Sequence, residues 1–292
     1  MKIQNVAILG AGTLGTRVAL QAALSGYQVS IQDLSLDTLE KSKKLMGKII
    51  RHLAEASGLD AEAGQLAISG ITFTTDANTA AADADLINES VTEDVGIKKE
   101  VWTTIGKLAP AKTIFTTNTS FLLPSYFAEV SGRPSQFCAL HFHDVFYAKV
   151  VDIMPHPGTD PALIDLLMDF GRSLEQVPVL VRKENHGYIF NSMLMAFIGA
   201  AGKLLTNGIA DIEDIDRSWM VNFHMPSGPF GILDTIGLDT AWHVVHVMPD
   251  KASQAFAKLL ESYINQGYLG EKTGRGFYTY PNPAYKHPSF LL

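Results

Sequence analysis

The stretch "NVAILGAGTLGTRVALQAALSGYQVSIQD", residues 5–33, decides the fold. Residues 5–9 are a short apolar run that ends in glycine, 12–25 carry Leu14, Val18, Leu20 and Ala22 at helical spacing, and 28–32 are again rich in strand formers. Strand, glycine turn, helix and strand in that order make the βαβ unit of a parallel sheet. The glycines fall at 10, 12 and 15 within G-A-G-T-L-G, and Asp33 closes the second strand.

In that setting the pattern has a mechanism. Gly10, Gly12 and Gly15 permit a tight turn, the close approach of a pyrophosphate and tight helix–strand packing. Thr13 and Leu14 open the helix, whose first N–H groups and positive potential suit phosphate. Asp33 can accept hydrogen bonds from both ribose hydroxyls and would repel a 2′-phosphate, so NAD is expected rather than NADP.

Outward from this unit, residues 36–58 predict an amphipathic helix with Leu39, Leu45, Ile49, Ile50 and Leu53 on one side. Lys41, Lys43, Lys44, Lys48 and Arg51 crowd its remaining surface. Short strands are expected at 71–74, 85–88, 113–117, 136–140, 149–153 and 177–181, mostly with helical segments between. That alternation predicts an α/β fold, an open doubly wound sheet of the Rossmann type with helices on both faces. After about residue 185 only helical patterns remain, among them a long apolar one ending at Gly208. The expected division is an NAD-binding domain over 1–185 and an all-helical domain over 186–292.

Two domains suit 292 residues. A content of 47% apolar and 18% charged residues describes an ordinary globular chain. The net charge of -7 argues against nucleic acid as a partner. Cys138 is the single cysteine, which suits a reducing cytosol. No signal peptide or membrane-length apolar stretch is read, so a cytoplasmic location without membrane association is expected.

Several segments resemble the L-3-hydroxyacyl-CoA dehydrogenase family, including its short bacterial 3-hydroxybutyryl-CoA members. They are "GAGTLG" at 10–15, "ESVTEDVGIKKEVW" at 89–102, "TNTSF" at 117–121, "LHF" at 140–142, "GYIFNSML" at 187–194, "PSGPFGILDTIGLD" at 226–239 and "GYLGEKTGRGFYTY" at 267–280. The resemblance covers nearly the whole chain, and the last segment is its most specific part. It implies oxidation of a 3-hydroxyacyl thioester to the 3-ketoacyl form, or the reverse, and a C-terminal domain that forms a homodimer. It also implies that Glu93, Lys98 and Lys272 approach the cofactor. Ser120 falls where the family serine meets substrate and nicotinamide, and Asn191 matches an asparagine lining the site. His141 falls at the catalytic histidine. Lys41, Lys44, Lys48 and Arg51 could meet the phosphates of CoA, or be a solvated helix face.

An imidazole suits the chemistry, because its ordinary pKa of about 6.5 lets it take the hydroxyl proton near neutral pH. A carboxylate on its far nitrogen would fix the tautomer and stabilise the charged form. Here the sequence departs from the family, which continues its histidine as His-Phe-Phe-Asn-Pro and has a glutamate twelve residues on. This chain reads His141-Phe142-His143-Asp144-Val145, and its acid is Asp152. Asp152 could orient His141. Asp144 could take over part of the charge work near the nicotinamide. The site could instead be reduced in activity or serve another substrate, such as a sugar acid or carnitine. His141 and His143 share a strand face beside Asp144, but without a third well-placed ligand and a supporting shell no metal is assigned.

Overall fold

The computed structural model describes residues 2–246 and 248–292. Two units divide between Ile189 and Phe190, a little beyond the expected boundary. The difference lies in the segment after Asn185. His186 bonds the Phe121 carbonyl at 3.0 Å, and the Tyr188 ring packs 5.0 Å from His141, so both belong with the N-terminal unit.

The N-terminal unit runs β1 Asn5–Leu9, α1 Thr13–Leu24, β2 Gln28–Gln32, α2 Leu36–Ser57, α3 Ala61–Ser69, β3 Thr72–Thr74, α4 Ala77–Ala81 and β4 Leu86–Glu89. It continues with α5 Val95–Leu108, β5 Ile114–Thr117, α6 Ser125–Ala128, β6 Phe137–Asp144, β7 Ala148–Pro155, α7 Pro161–Ser173 and β8 Val177–Leu180. The strands form one sheet in the order β3-β2-β1-β4-β5-β6-β7-β8. Pairing is parallel through β6, antiparallel between β6 and β7, and parallel again to β8. The order reverses beside β1, the switch point at which doubly wound sheets bind ligands.

Alternation along β1 feeds two cores. Val6 and Ile8 pack with Val18 and Leu20 of α1, Met46 and Ile50 of α2, and Leu167 of α7. Ala7 and Leu9 pack on the opposite face with Trp102 and Ile105 of α5, and with Phe115, Phe127 and Phe137. The basic residues of α2 stay exposed, and Lys41 pairs with Asp37 at 2.5 Å. Ser35 caps α2 by accepting from the Thr38 amide, and Gly58 ends it at φ 71°.

The C-terminal unit is helical, as expected: α8 Phe190–Thr206, α9 Ile212–Phe223, α10 Pro229–Ile236, α11 Leu238–Val245 and α12 Lys251–Ile264. Among the described residues its β pairing is limited to isolated bridges at Gly270, Arg275 and Thr279. The apolar helix starts at Phe190 because Gly187 and Tyr188, at φ 74° and 54°, break the helical run. Ile198, Phe230, Leu233, Phe256 and Leu260 form its core. Two buried acids tie it together. Asp216 of α9 accepts from the amides of Phe230 and Gly231 at the start of α10 and from the Tyr278 hydroxyl. Asp234 of α10 accepts from the Phe277 and Tyr278 amides and the Tyr280 hydroxyl.

Candidate active site

The glycine turn has the shape its spacing predicts. Gly10 sits at φ +97°, and a Cβ there would lie 2.6 Å from the Ser90 carbonyl oxygen. A Cβ on Gly15 would lie 2.0 Å from the Gly10 carbonyl oxygen. Those two glycines let chain pack on chain. Gly12 is different: nothing stands within 4 Å of where its Cβ would be. It is the N-cap of α1, with no side chain capping the helix and no acid in its first turn. Open space over unpaired helix N–H groups fits a pyrophosphate. Thr13 is exposed and Leu14 half-buried beside this space. Asp33 follows β2 and accepts from the Ala11 amide at 3.0 Å and the Ser35 amide at 3.0 Å, which fixes its carboxylate against the turn. The donor set therefore fits a dinucleotide.

A second group stands beyond β4 and β5. Lys98 of α5 is almost wholly buried, and its ammonium meets Glu89 at 2.6 Å, the Val91 carbonyl at 3.2 Å and Glu93 at 3.3 Å. Burial pushes the Glu89 carboxyl up, against the pull of Lys98 and the bonds from Thr117 and the Val91 amide. With three acceptors around it, buried Lys98 holds Glu93, which stands at the surface. Glu93 is exposed, accepts from the Ser120 amide at 3.2 Å and bonds the Thr119 hydroxyl, so it sits beside Ser120. Glu89 escaped the sequence reading, although an acid ending an apolar strand nine residues before a lysine was a visible signal.

The histidine strand explains itself through register. His141 of β6 lies directly opposite Asp152 of β7 in the antiparallel ladder. Cross-strand partners share a face, and His141 Nδ1 stands 3.0 Å from Asp152 Oδ2. The missing residue and the missing methylene of the family pattern are thereby accommodated. The ladder shifts between Phe142 and Asp144, an irregularity of the kind that re-aims side chains. His143 Nε2 reaches the same Asp152 Oδ2 at 2.8 Å. Below this, Asn118 accepts from the Phe142 amide at 2.8 Å and donates to the Ser90 hydroxyl at 2.9 Å, joining the histidine strand to the segment after β4.

Burial lowers the His141 imidazole below its ordinary range, against the hydrogen bond it donates to Asp152, which favours the charged ring. Burial would raise Asp152, but the bonds to His141 and His143 outweigh it and hold the carboxyl below the ordinary value. Both shifts favour a neutral imidazole beside a charged carboxylate, a pairing that can fix the ring's tautomer.

Asp144 has other partners. It pairs with Arg17 of α1 and accepts from the Phe146 and Tyr147 amides at 3.1 and 3.2 Å. Of the two acids, Asp152 is the one bonded to the His141 ring. In the C-terminal unit, Asn191 lies in the first turn of α8, and Lys272 is held by both oxygens of Asp239 at 2.6 and 2.7 Å. His141, His143 and Asp152 also bring three potential metal-ligand atoms within 4.8 Å of one another, and hydrogen bonds to Asp152 already join them.

Comparison with known proteins places this arrangement. Residues 5–185 match the 3-hydroxyacyl-CoA dehydrogenase NAD-binding domain, and 187–280 match the 3-hydroxyacyl-CoA dehydrogenase C-terminal domain. The chain belongs to the 3-hydroxyacyl-CoA dehydrogenase family. It is an NAD-dependent oxidoreductase of that family. The mitochondrial hydroxyacyl-coenzyme A dehydrogenase of Sus scrofa is 32% identical over 289 residues, 95% of this chain and 91% of that one. The solved (S)-3-hydroxybutyryl-CoA dehydrogenase of Ralstonia eutropha is 28% identical, with a TM-score of 0.85 over 96% of this chain and 100% of that one. A diketoreductase, solved in a study of dual catalysis of dicarbonyl compounds, is 39% identical with a TM-score of 0.92 over 96% of this dehydrogenase and 100% of its own chain.

Proposed function

We propose that this chain interconverts a short-chain 3-hydroxyacyl-CoA and the matching 3-ketoacyl-CoA, with His141 as general base in oxidation and general acid in reduction. The observation that carries this is the buried His141–Asp152 pair, held in direct register at 3.0 Å. NAD, when bound, accepts or returns the hydride. Gly10, Gly12, Thr13, Leu14, Gly15 and Asp33 would hold it, with the pyrophosphate over Gly12. His141 takes the hydroxyl proton on Nε2 while Nδ1 donates to Asp152, which stabilises the imidazolium that forms. Ser120, placed beside Glu93 and its anchor Lys98, would hold the substrate oxygen. Asn191 and Lys272 carry the substrate and cofactor roles that the family resemblance implies for them.

A cytoplasmic homodimer active in fatty acid metabolism fits this reading. Among the described residues no helix is long and apolar enough to cross a membrane. Met193 and Leu204 of α8 and Val221 and Phe223 of α9 are exposed apolar residues available to a second copy.

Loss of NADH absorbance with acetoacetyl-CoA tests the proposal, and no turnover at high enzyme concentration would defeat it. A second reading, reduction of a dicarbonyl or 3-keto acid without CoA, draws support from the likeness to the diketoreductase. Parallel assays with carnitine, gulonate and a diketo ester, each with NAD and NADP forms, separate the two.

A further inference from the structure

Asp152 offers a single negative charge and one oxygen, Oδ2, to two imidazoles, at 3.0 Å from His141 Nδ1 and 2.8 Å from His143 Nε2. The two rings lie 4.7 Å apart. For that oxygen to accept from both, each ring must carry its proton on the nitrogen that faces it. A further proton on either ring makes an imidazolium. One carboxylate can balance one such cation, and a second at this spacing meets uncompensated positive charge. Charge on one ring therefore opposes charge on the other.

We propose that His143 is a positioning residue that sets the proton affinity of His141 through the Asp152 oxygen they share, and so keeps His141 a neutral base at neutral pH. The catalytic consequence rests on the reading of His141 as the base. The ionisable groups facing the pair in the N-terminal unit include Asp152 from β7, Glu93 from the segment after β4, and Tyr188. Glu93 is drawn to Lys98 at 3.3 Å. Burial holds the Tyr188 phenol well above its usual range, so it stays neutral. Asp144, next along β6, is tied to Arg17. Asp152 and His143 are thus the groups in direct contact that compete over the His141 proton. Burial lowers His141, and positive charge on His143 works in the same direction.

Two measurements on the whole chain test this: the imidazole titration of His141 by NMR without ligands, and the pH profile of kcat/KM for alcohol oxidation. In His143→Phe, Asp152 serves His141 alone. The His141 midpoint should rise by about one pH unit, a ten-fold gain in proton affinity, and the acid limb of kcat/KM should move up with it. In His143→Gln the side chain can still donate to Asp152 but cannot become charged, so the midpoint should lie between wild type and His143→Phe. A His141 midpoint in His143→Phe within about 0.3 unit of wild type overturns the proposal. If the phenylalanine variant does not fold, His143→Gln decides alone, a raised midpoint supporting the coupling and a coincident one overturning it. A raised midpoint without turnover of any 3-hydroxyacyl-CoA supports the coupling and overturns the substrate reading instead.

Discussion

Each unit of this chain buries acids, and they serve different ends. Asp152 in the sheet and Asp216 and Asp234 in the helical unit are all hidden from solvent, and burial pushes each carboxyl upward. Their partners differ. Asp152 faces two imidazoles, which can change charge near neutral pH, and their bonds bring it below its ordinary range. Asp216 and Asp234 face main-chain amides and tyrosine hydroxyls, which do not. Burial wins there, raising Asp234 and taking Asp216 up to about 6. A buried acid becomes a proton device or a fastener according to what it touches, not how deeply it lies.

The sharpest way to break this contrast is at the imidazole. His141→Ala should cut turnover by about three orders of magnitude or more while leaving NADH affinity within about three-fold. Steady-state kinetics beside fluorescence titration would show it, and near wild-type turnover would remove His141 as base. Asp152→Asn should follow closely, with a loss of about 10²–10⁴ in kcat at neutral pH, because the tautomer is no longer fixed.

The helical unit should respond in stability. Asp234→Ala leaves two amides and a hydroxyl without their acceptor, which should cost about 3 kcal/mol or more in urea unfolding. A cost under about 1 kcal/mol would deny the fastening role. Asp216 gives a pH signature. Its folded pKa of about 6 lies above the ordinary 3.8, so the folded chain holds a proton that the unfolded chain has lost between those values. Its contribution is therefore fullest below pH 3.8 and declines as pH rises through about 6, by about 3 kcal/mol at most. Asp216→Asn should flatten that part of the stability profile. Asp144→Asn should do least. Its pair with Arg17 is partly exposed, so about 1 kcal/mol and an unchanged NADH affinity are expected. A ten-fold loss of affinity would return Asp144 to the cofactor site.

The sheet was legible because apolar runs, the glycine turn and helical spacing are local. All eight strands stand near their expected places, yet β6 and β7 run longer than the apolar runs that announced them. Their polar ends, His143, Asp144 and Lys149, lie in a hairpin whose direction no run of residues states. Asp152 entered through resemblance, and its direct opposition to His141 became visible only with the register. The place of His143 depends on the irregularity after Phe142, which local patterns do not encode. Asp216 looked like one more acid on an amphipathic helix, because its partners Phe230, Gly231 and Tyr278 lie far along the chain.

The opposition of His141 and Asp152 also limits how this hairpin can change length. Residues 145–147 lie outside the ladder, so an extra residue there can be absorbed as a longer turn. One residue added within Lys149–Val151 would instead turn Asp152 to the other face of the sheet, toward Leu140 and Phe142, and strand both histidines. Two added residues would restore the face but shift the acid along the strand. Variation in this enzyme is therefore open at the hairpin tip and closed along its stem, and the boundary between them lies at Ala148.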